Sequence, residues 1–114
     1  MKYYSEVDTK DLRVALEKEI LSWSQVGTKK MFGCPCYQVR GKLFVFLVTN
    51  GIVITHLEQT DRERLSRKHK TTFFQAGKKT VKKWIKISAS SKDLDLIMPY
   101  VRKSYESALK NKRQ

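Results

Sequence analysis

Residues 37–54, YQVRGKLFVFLVTNGIVI, decide the fold. Tyr37 and Val39 alternate with Gln38 and Arg40, the period-two pattern of a half-buried strand. Gly41 and Lys42 then turn the chain into Leu43–Val48, which is apolar at every position, so both faces of that strand need cover. Asn50-Gly51 follows, a strong hairpin signal because both residues tolerate positive φ. Ile52, Val53 and Ile54 form a further strand ending near Leu57, with His56 in step with Ile52 and Ile54. Short turns between three such runs predict an antiparallel meander.

Helical patterns flank this meander. A first helix is predicted to start between Ser5 and Thr9, with Leu12, Ala15, Leu16, Ile20 and Trp23 as one apolar stripe. Asp8 and Asp11 suit its N-terminus, and Gly27 marks its stop. A loop with Lys29 and Lys30 leads into Met31-Phe32-Gly33. There Met31 and Phe32 are expected to fill the space between the helix and the sheet, with Gly33 allowing the tight turn. Beyond the meander, Thr60 and Glu63 fit a capping box opening a short basic helix to about Lys68.

Thr71–Phe74 and Thr80–Ile87 predict two more strands around Gly77. In the second, Val81, Ile85 and Ile87 share parity with Lys83, while Lys82, Trp84 and Lys86 point the other way. A last helix runs from Ser90 or Ser91, with Leu94, Ile97, Met98, Val101, Tyr105 and Ala108 on one stripe. Pro99 predicts a kink or a broken first turn. The order α-β-β-β-α-β-β-α predicts an α+β two-layer sandwich with a five-stranded antiparallel sheet. One domain spans residues 1–114, and residues 109–114 form a frayed basic tail.

With 114 residues, 40% of them hydrophobic, the chain can bury a core without disulfide staples. The aromatic content argues against wholesale disorder, and no apolar run approaches a membrane span. Two cysteines two positions apart make no disulfide framework, so the cytoplasm is the expected location and no membrane partner is expected. The formal charge is +13, and it is uneven. Residues 1–35 carry six basic and five acidic side chains, whereas residues 62–92 carry eleven basic side chains and one acid, Glu63. That second segment supplies +10 of the total, a field that attracts phosphate backbones.

The segment KKMFGCPCYQVRGKLFVFL, residues 29–47, resembles the opening motif of the TfoX N-terminal domain family. There a basic residue precedes Met-Phe-Gly, and a strand leads through a Gly turn to a Phe-containing strand. Thr60–Leu65 is similar to the acid-Arg start of that family's short helix, and Phe73 or Phe74 takes the place of its usual Phe. Lys82–Ile87 resembles its late strand, and Val101–Ala108 its closing helix. The resemblance covers residues 10–110 and implies an α-β3-α-β2-α sandwich in a competence-regulator-like, single-domain protein without an assigned activity.

Candidate chemistry is sparse. Cys34-Pro35-Cys36 with His56 and His69 is the one metal-like set, but Cys-x-Cys is not the usual zinc spacing, and Arg67, Lys68 and Lys70 beside His69 oppose a cation. The thiols are expected reduced, metal-free and on opposite faces, Cys34 in the loop before the strand. Cys36 and His56 could approach across strands. Neither a nucleophile elbow nor a phosphate-binding glycine loop is present. Asp93/Asp95 and Asp8/Asp11 lie at helix starts, where capping accounts for them. The chain therefore reads as a non-enzyme with no cofactor and no catalytic residue.

Its expected function is regulatory or accessory, binding DNA or RNA through Arg62, Arg64, Arg67, Lys68, Lys79, Lys82 and Lys86. Trp84 is expected to offer a stacking platform between Lys82 and Lys86. The rival reading is a protein-interaction or homodimerisation module with solubilising charge, its regulatory protein partner unspecified. Because Leu43–Val48 is apolar on both parities, a homodimer is expected, through the open sheet face or an edge strand. A weaker alternative is an enzyme or small-ligand or metal carrier with a pocket near Cys36 and His56.

Overall fold

The computed structural model describes residues 3–110, without the side chains of Ala76 and Lys82. Three helices, α1 (Glu6–Ile20), α2 (Gln59–Lys68) and α3 (Leu94–Lys110), accompany six strands. The strands are β1 (Val26–Met31), β2 (Cys34–Val39), β3 (Lys42–Val48), β4 (Gly51–Ile54), β5 (Thr71–Ala76) and β6 (Lys79–Ser88). They form one sheet in the order β1-β2-β3-β4-β6-β5, antiparallel at every pairing. The chain is α+β, with six strands where five are predicted.

The added strand is β1, in the stretch predicted as a loop. Its residues VGTKKM carry no apolar alternation, and three of the six are exposed and none is buried, so the pattern that reveals strands is missing. β1 exists because Phe32 (φ 55°) and Gly33 (φ 79°) both take left-handed conformations, the two-residue turn that matches strand twist. Arg40 (φ 53°) and Gly41 (φ 80°) repeat the device between β2 and β3. Phe32 therefore stands exposed at a hairpin tip, against Tyr3 with ring centroids 5.5 Å apart, and does not fill a gap between helix and sheet.

At the next turn Asn50 alone has positive φ, and Gly51 is already paired in β4. Gly51 is required by proximity: a Cβ there would lie 3.0 Å from the Ile87 carbonyl oxygen and 3.2 Å from Val48 Cγ2.

Two bulges set which side chains meet. Tyr37 pairs with Val45 but Gln38 with Leu43, so Phe44 is extra and both Phe44 and Val45 face the helices. Phe73 pairs with Ile85 but Phe74 with Val81, leaving residues 82–84 bulged. This places Val81 on the same face as Trp84, against the simple alternation that grouped it with Ile85 and Ile87.

The helix side of the sheet holds the main core, in which Leu12, Leu16 and Ile20 of α1, Leu65 of α2, and Ile97, Val101 and Ala108 of α3 meet Tyr37, Leu47, Ile52, Ile54 and Ile87. α1 stops at Ile20, seven residues before Gly27, which is paired in β1. Trp23, beyond the helix end, still packs 5.0 Å from the Tyr105 ring. α2 starts from Glu58 without a side-chain cap, so Thr60 lies inside the helix and Glu63 accepts instead from Gln59 Nε2 at 3.1 Å. Ser90 and Asp93 do form a capping box, over a single 3₁₀ turn that leads into α3. α3 runs through Pro99 and includes residues 109 and 110; residues 111–114 of the expected tail lie outside the described residues.

The opposite side of the sheet carries a second cluster: Cys34, Cys36, Phe46, Val48, Val53 and Phe74, rimmed by Tyr3, Met31, Val81 and Trp84. Tyr3 touches both Phe32 at the β1–β2 turn and Phe74 on β5, at opposite ends of the strand order, so the sheet curls around this cluster. The second face of β3 is thus covered from within the chain, and the open face on which the homodimer argument rested is absent. Cys34 and Cys36 both belong to this cluster: residues i and i+2 of one strand share a face, so they do not diverge, and Cys34 lies in the strand rather than in a loop.

Candidate nucleic-acid interface

α2 holds only one buried residue, Leu65; Asp61 and Arg62 are half-buried and its other residues are exposed. Its sequence QTDRERLSRK is too polar to stand alone, so Leu65 in the core fixes its orientation. Arg62 Nη1 donates to the Leu57 carbonyl oxygen at 2.6 Å, which ties the guanidinium to the segment before the helix. Asp61 faces Lys103 of α3 at 4.0 Å. Among the described residues, Arg64, Arg67 and Lys68 have no acidic partner at ion-pair distance, and all three are exposed. Arg67 and Lys68 occupy the last turn, where positive charge complements the helix dipole.

The sequence-predicted residues separate into groups. Arg62 and Arg67 line a groove of about 510 Å³ between α2 and the outer strands, with Gln59, Glu63, Ser66, Phe73 and Ile85. Arg64 and Lys68, one turn apart, share another face of α2. Lys79 is exposed beside the β5–β6 turn, which Gly77 (φ 64°) makes possible. Lys82 lies in the bulge of β6, and its side chain is outside the described residues.

Trp84 is not an open platform. It is half-buried against Phe46 and Phe74, with ring centroids at 5.4 and 5.8 Å. Lys86 is half-buried on that same side, paired with Val53 and Thr72. The sheet therefore separates Trp84 and Lys86 from the arginines of α2.

Phe73 is the residue that sequence reasoning passed over. It is 48% exposed on the edge strand β5, opposite Ile85 on the helix side. The signal was available: of two adjacent phenylalanines on a strand, only one can enter a given face. Phe74 takes the aromatic cluster, which leaves Phe73 at the groove.

A second polar site lies at the far edge, between α1 and β1–β2, in a groove of about 770 Å³. Arg13 forks onto Glu6 (2.7 and 2.9 Å) and reaches Glu17 at 2.9 Å, while Tyr37 OH donates to Glu17 at 2.6 Å. The Arg13 guanidinium, with the Tyr4 hydroxyl, holds the Glu6 carboxyl down to about 2. Burial and the Glu17 carboxylate raise the Tyr37 phenol. Each charge in this chain of contacts is answered by a neighbour, which makes it a clamp tying α1 to β2.

Cys36 borders that groove, but burial, with Cys34 beside it, pushes its thiol up to about 11. His56 does not approach it. Its N–H donates to Ser104 Oγ at 3.0 Å and its Nδ1 lies 3.2 Å from Ser107 Oγ, on α3 and across the sheet from the Cys36 cluster. Among the described residues no three His, Cys, Asp or Glu side chains converge as a metal site, and no helix is long and apolar enough to cross a membrane. No protein-family model, curated protein or solved structure matches the chain.

Proposed function

We propose that the chain is a non-catalytic regulatory or accessory domain of the TfoX N-terminal type, cytoplasmic, that binds nucleic acid through its basic edge. The observation that carries this reading is the placement of the charge. The segment supplying +10 of the +13 folds as α2 and the β5–β6 hairpin, and exposed Arg67 and half-buried Arg62 flank an exposed aromatic in one groove. Arg62 and Arg67 serve the groove, Arg64, Lys68 and Lys79 extend the field around it, and Trp84 holds the sheet's inner cluster. Polyanions are attracted to such a field, and released counterions give the binding a steep dependence on salt.

Titration of labelled DNA and RNA at several salt concentrations tests the reading. A log-affinity slope of about −2 to −4 against log salt is expected for three to five phosphate contacts. Neutralising Arg64 or Lys68 with Gln should lower the slope by about one each, with little change in stability. A slope near zero, or no binding at low salt, overturns it and leaves the charge as solubilising. Self-association then becomes the favoured reading, through the exposed edge β1, although Lys29 and Lys30 there are of the kind that discourage strand pairing.

A further inference from the structure

We infer that the groove between α2 and β5 takes single-stranded nucleic acid, with a base stacked on Phe73 and its flanking phosphates on Arg67 and Arg62. The inference rests on the nucleic-acid reading above and adds the form of the strand. Phe73 projects on the helix side of the edge strand, with Ile85 beside it as the groove's apolar floor. Among the described ring pairs none involves Phe73, so its exposed face is free for a planar partner. A base inside a duplex is already stacked on both sides and cannot use such a face, whereas an unpaired base can.

Charge is arranged to suit. The Arg62 guanidinium is held by the Leu57 carbonyl oxygen at 2.6 Å and so needs little ordering before it meets a phosphate. Arg67, five residues further along α2 and lining the same groove, is exposed and carries the same planar fork. Ser66 Oγ, 2.9 Å from Thr71 Oγ1, adds a hydroxyl on that wall. Glu63 is the wall's single acid, and Gln59 Nε2 engages it at 3.1 Å. At about 510 Å³ the groove is of small-ligand size, which fits one or two nucleotides and not the width of a double helix.

The experiment compares a labelled 20-nucleotide oligo-dT with a duplex of equal length, by anisotropy, on the full chain. The single strand should bind at least about tenfold more tightly. Phe73→Leu keeps an apolar side chain in the groove but removes the ring, and should weaken the single strand by about 5- to 100-fold while leaving the salt slope unchanged. Phe73→Tyr should restore it, and Arg67→Gln should lower the slope by about one with the ring intact. Circular dichroism melting of Phe73→Leu and Phe73→Tyr separates lost stacking from lost folding, since a folded Phe73→Leu protein with wild-type affinity overturns the inference. Duplex bound as tightly as the single strand, with both indifferent to Phe73, also overturns it while leaving nucleic-acid binding standing. Salt-dependent binding of neither defeats both readings.

Discussion

At the scale of single residues, the two cysteines show how far burial sets chemistry. Both are free and fully buried, and Cys36 Sγ donates to the Cys34 carbonyl oxygen at 3.3 Å. Burial raises both thiols, so at neutral pH neither is a thiolate, and thiol reagents should label the folded chain far more slowly than the urea-unfolded one. The raised value also fixes a sign. Cys36 has a folded value of about 11 against an ordinary 9.0, so its contribution is complete below pH 9 and is lost as pH climbs from 9 towards 11. Urea unfolding of wild type and Cys36→Ala should differ by about 1 kcal/mol near pH 7, from the lost packing of the sulfur. That gap should shrink as pH rises through 9 to 11, by at most about 2 kcal/mol. A gap that widens over that interval would place the thiol in a polar setting.

At the scale of elements, two glycines make opposite forecasts. A Cβ on Gly51 would meet the Ile87 carbonyl oxygen at 3.0 Å, a backbone atom of the neighbouring strand that cannot step aside. A Cβ on Gly27 would meet only Gln38 Cγ at 4.0 Å. Gly51→Ala should therefore cost about 1–3 kcal/mol by chemical denaturation, and Gly27→Ala should be neutral or slightly stabilising. A neutral Gly51→Ala would mean that β4 and β6 separate more easily than their pairing suggests. The same elements show what the sequence could reveal. Apolar runs such as Leu43–Val48 and Ile52–Ile54 announced their strands, and the stripe from Leu94 to Ala108 announced α3, because periodicity records which faces are buried. β1 was hidden because an exposed edge strand buries nothing, and the regrouping of Val81 with Trp84 because a bulge resets parity without a local residue signal. In the candidate interface, the arginines of α2 were legible as charge. Phe73 was not singled out, since its exposure depends on Phe74 claiming the inner face.

At the scale of the whole molecule, the question is how a sheet with two apolar faces stays covered, and Tyr3 answers it. Its carbonyl oxygen accepts from Thr49 N–H at 3.0 Å, and its hydroxyl accepts from Gly77 N–H at 3.0 Å. Its ring lies between Phe32 and Phe74, with centroids at 5.5 and 5.9 Å. One residue thus joins the three turns, its side chain the β1–β2 tip and the β5–β6 turn and its backbone carbonyl the β3–β4 turn, and closes the curled side of the sheet that a second copy was expected to cover. Tyr3→Ala would remove the ring and the Gly77 acceptor together, at a cost of about 2–4 kcal/mol. Tyr3→Phe would lose only the acceptor, at about 1 kcal/mol. Because Tyr3→Ala also uncovers Phe74 and Phe32, it should bind a hydrophobic dye and gain mass by light scattering as concentration rises, relative to wild type and Tyr3→Phe. If Tyr3→Ala keeps wild-type stability and the same concentration dependence, the second face is closed by the curl of the sheet alone, through Phe74 and Trp84 on Phe46, and Tyr3 only rests on a surface already sealed.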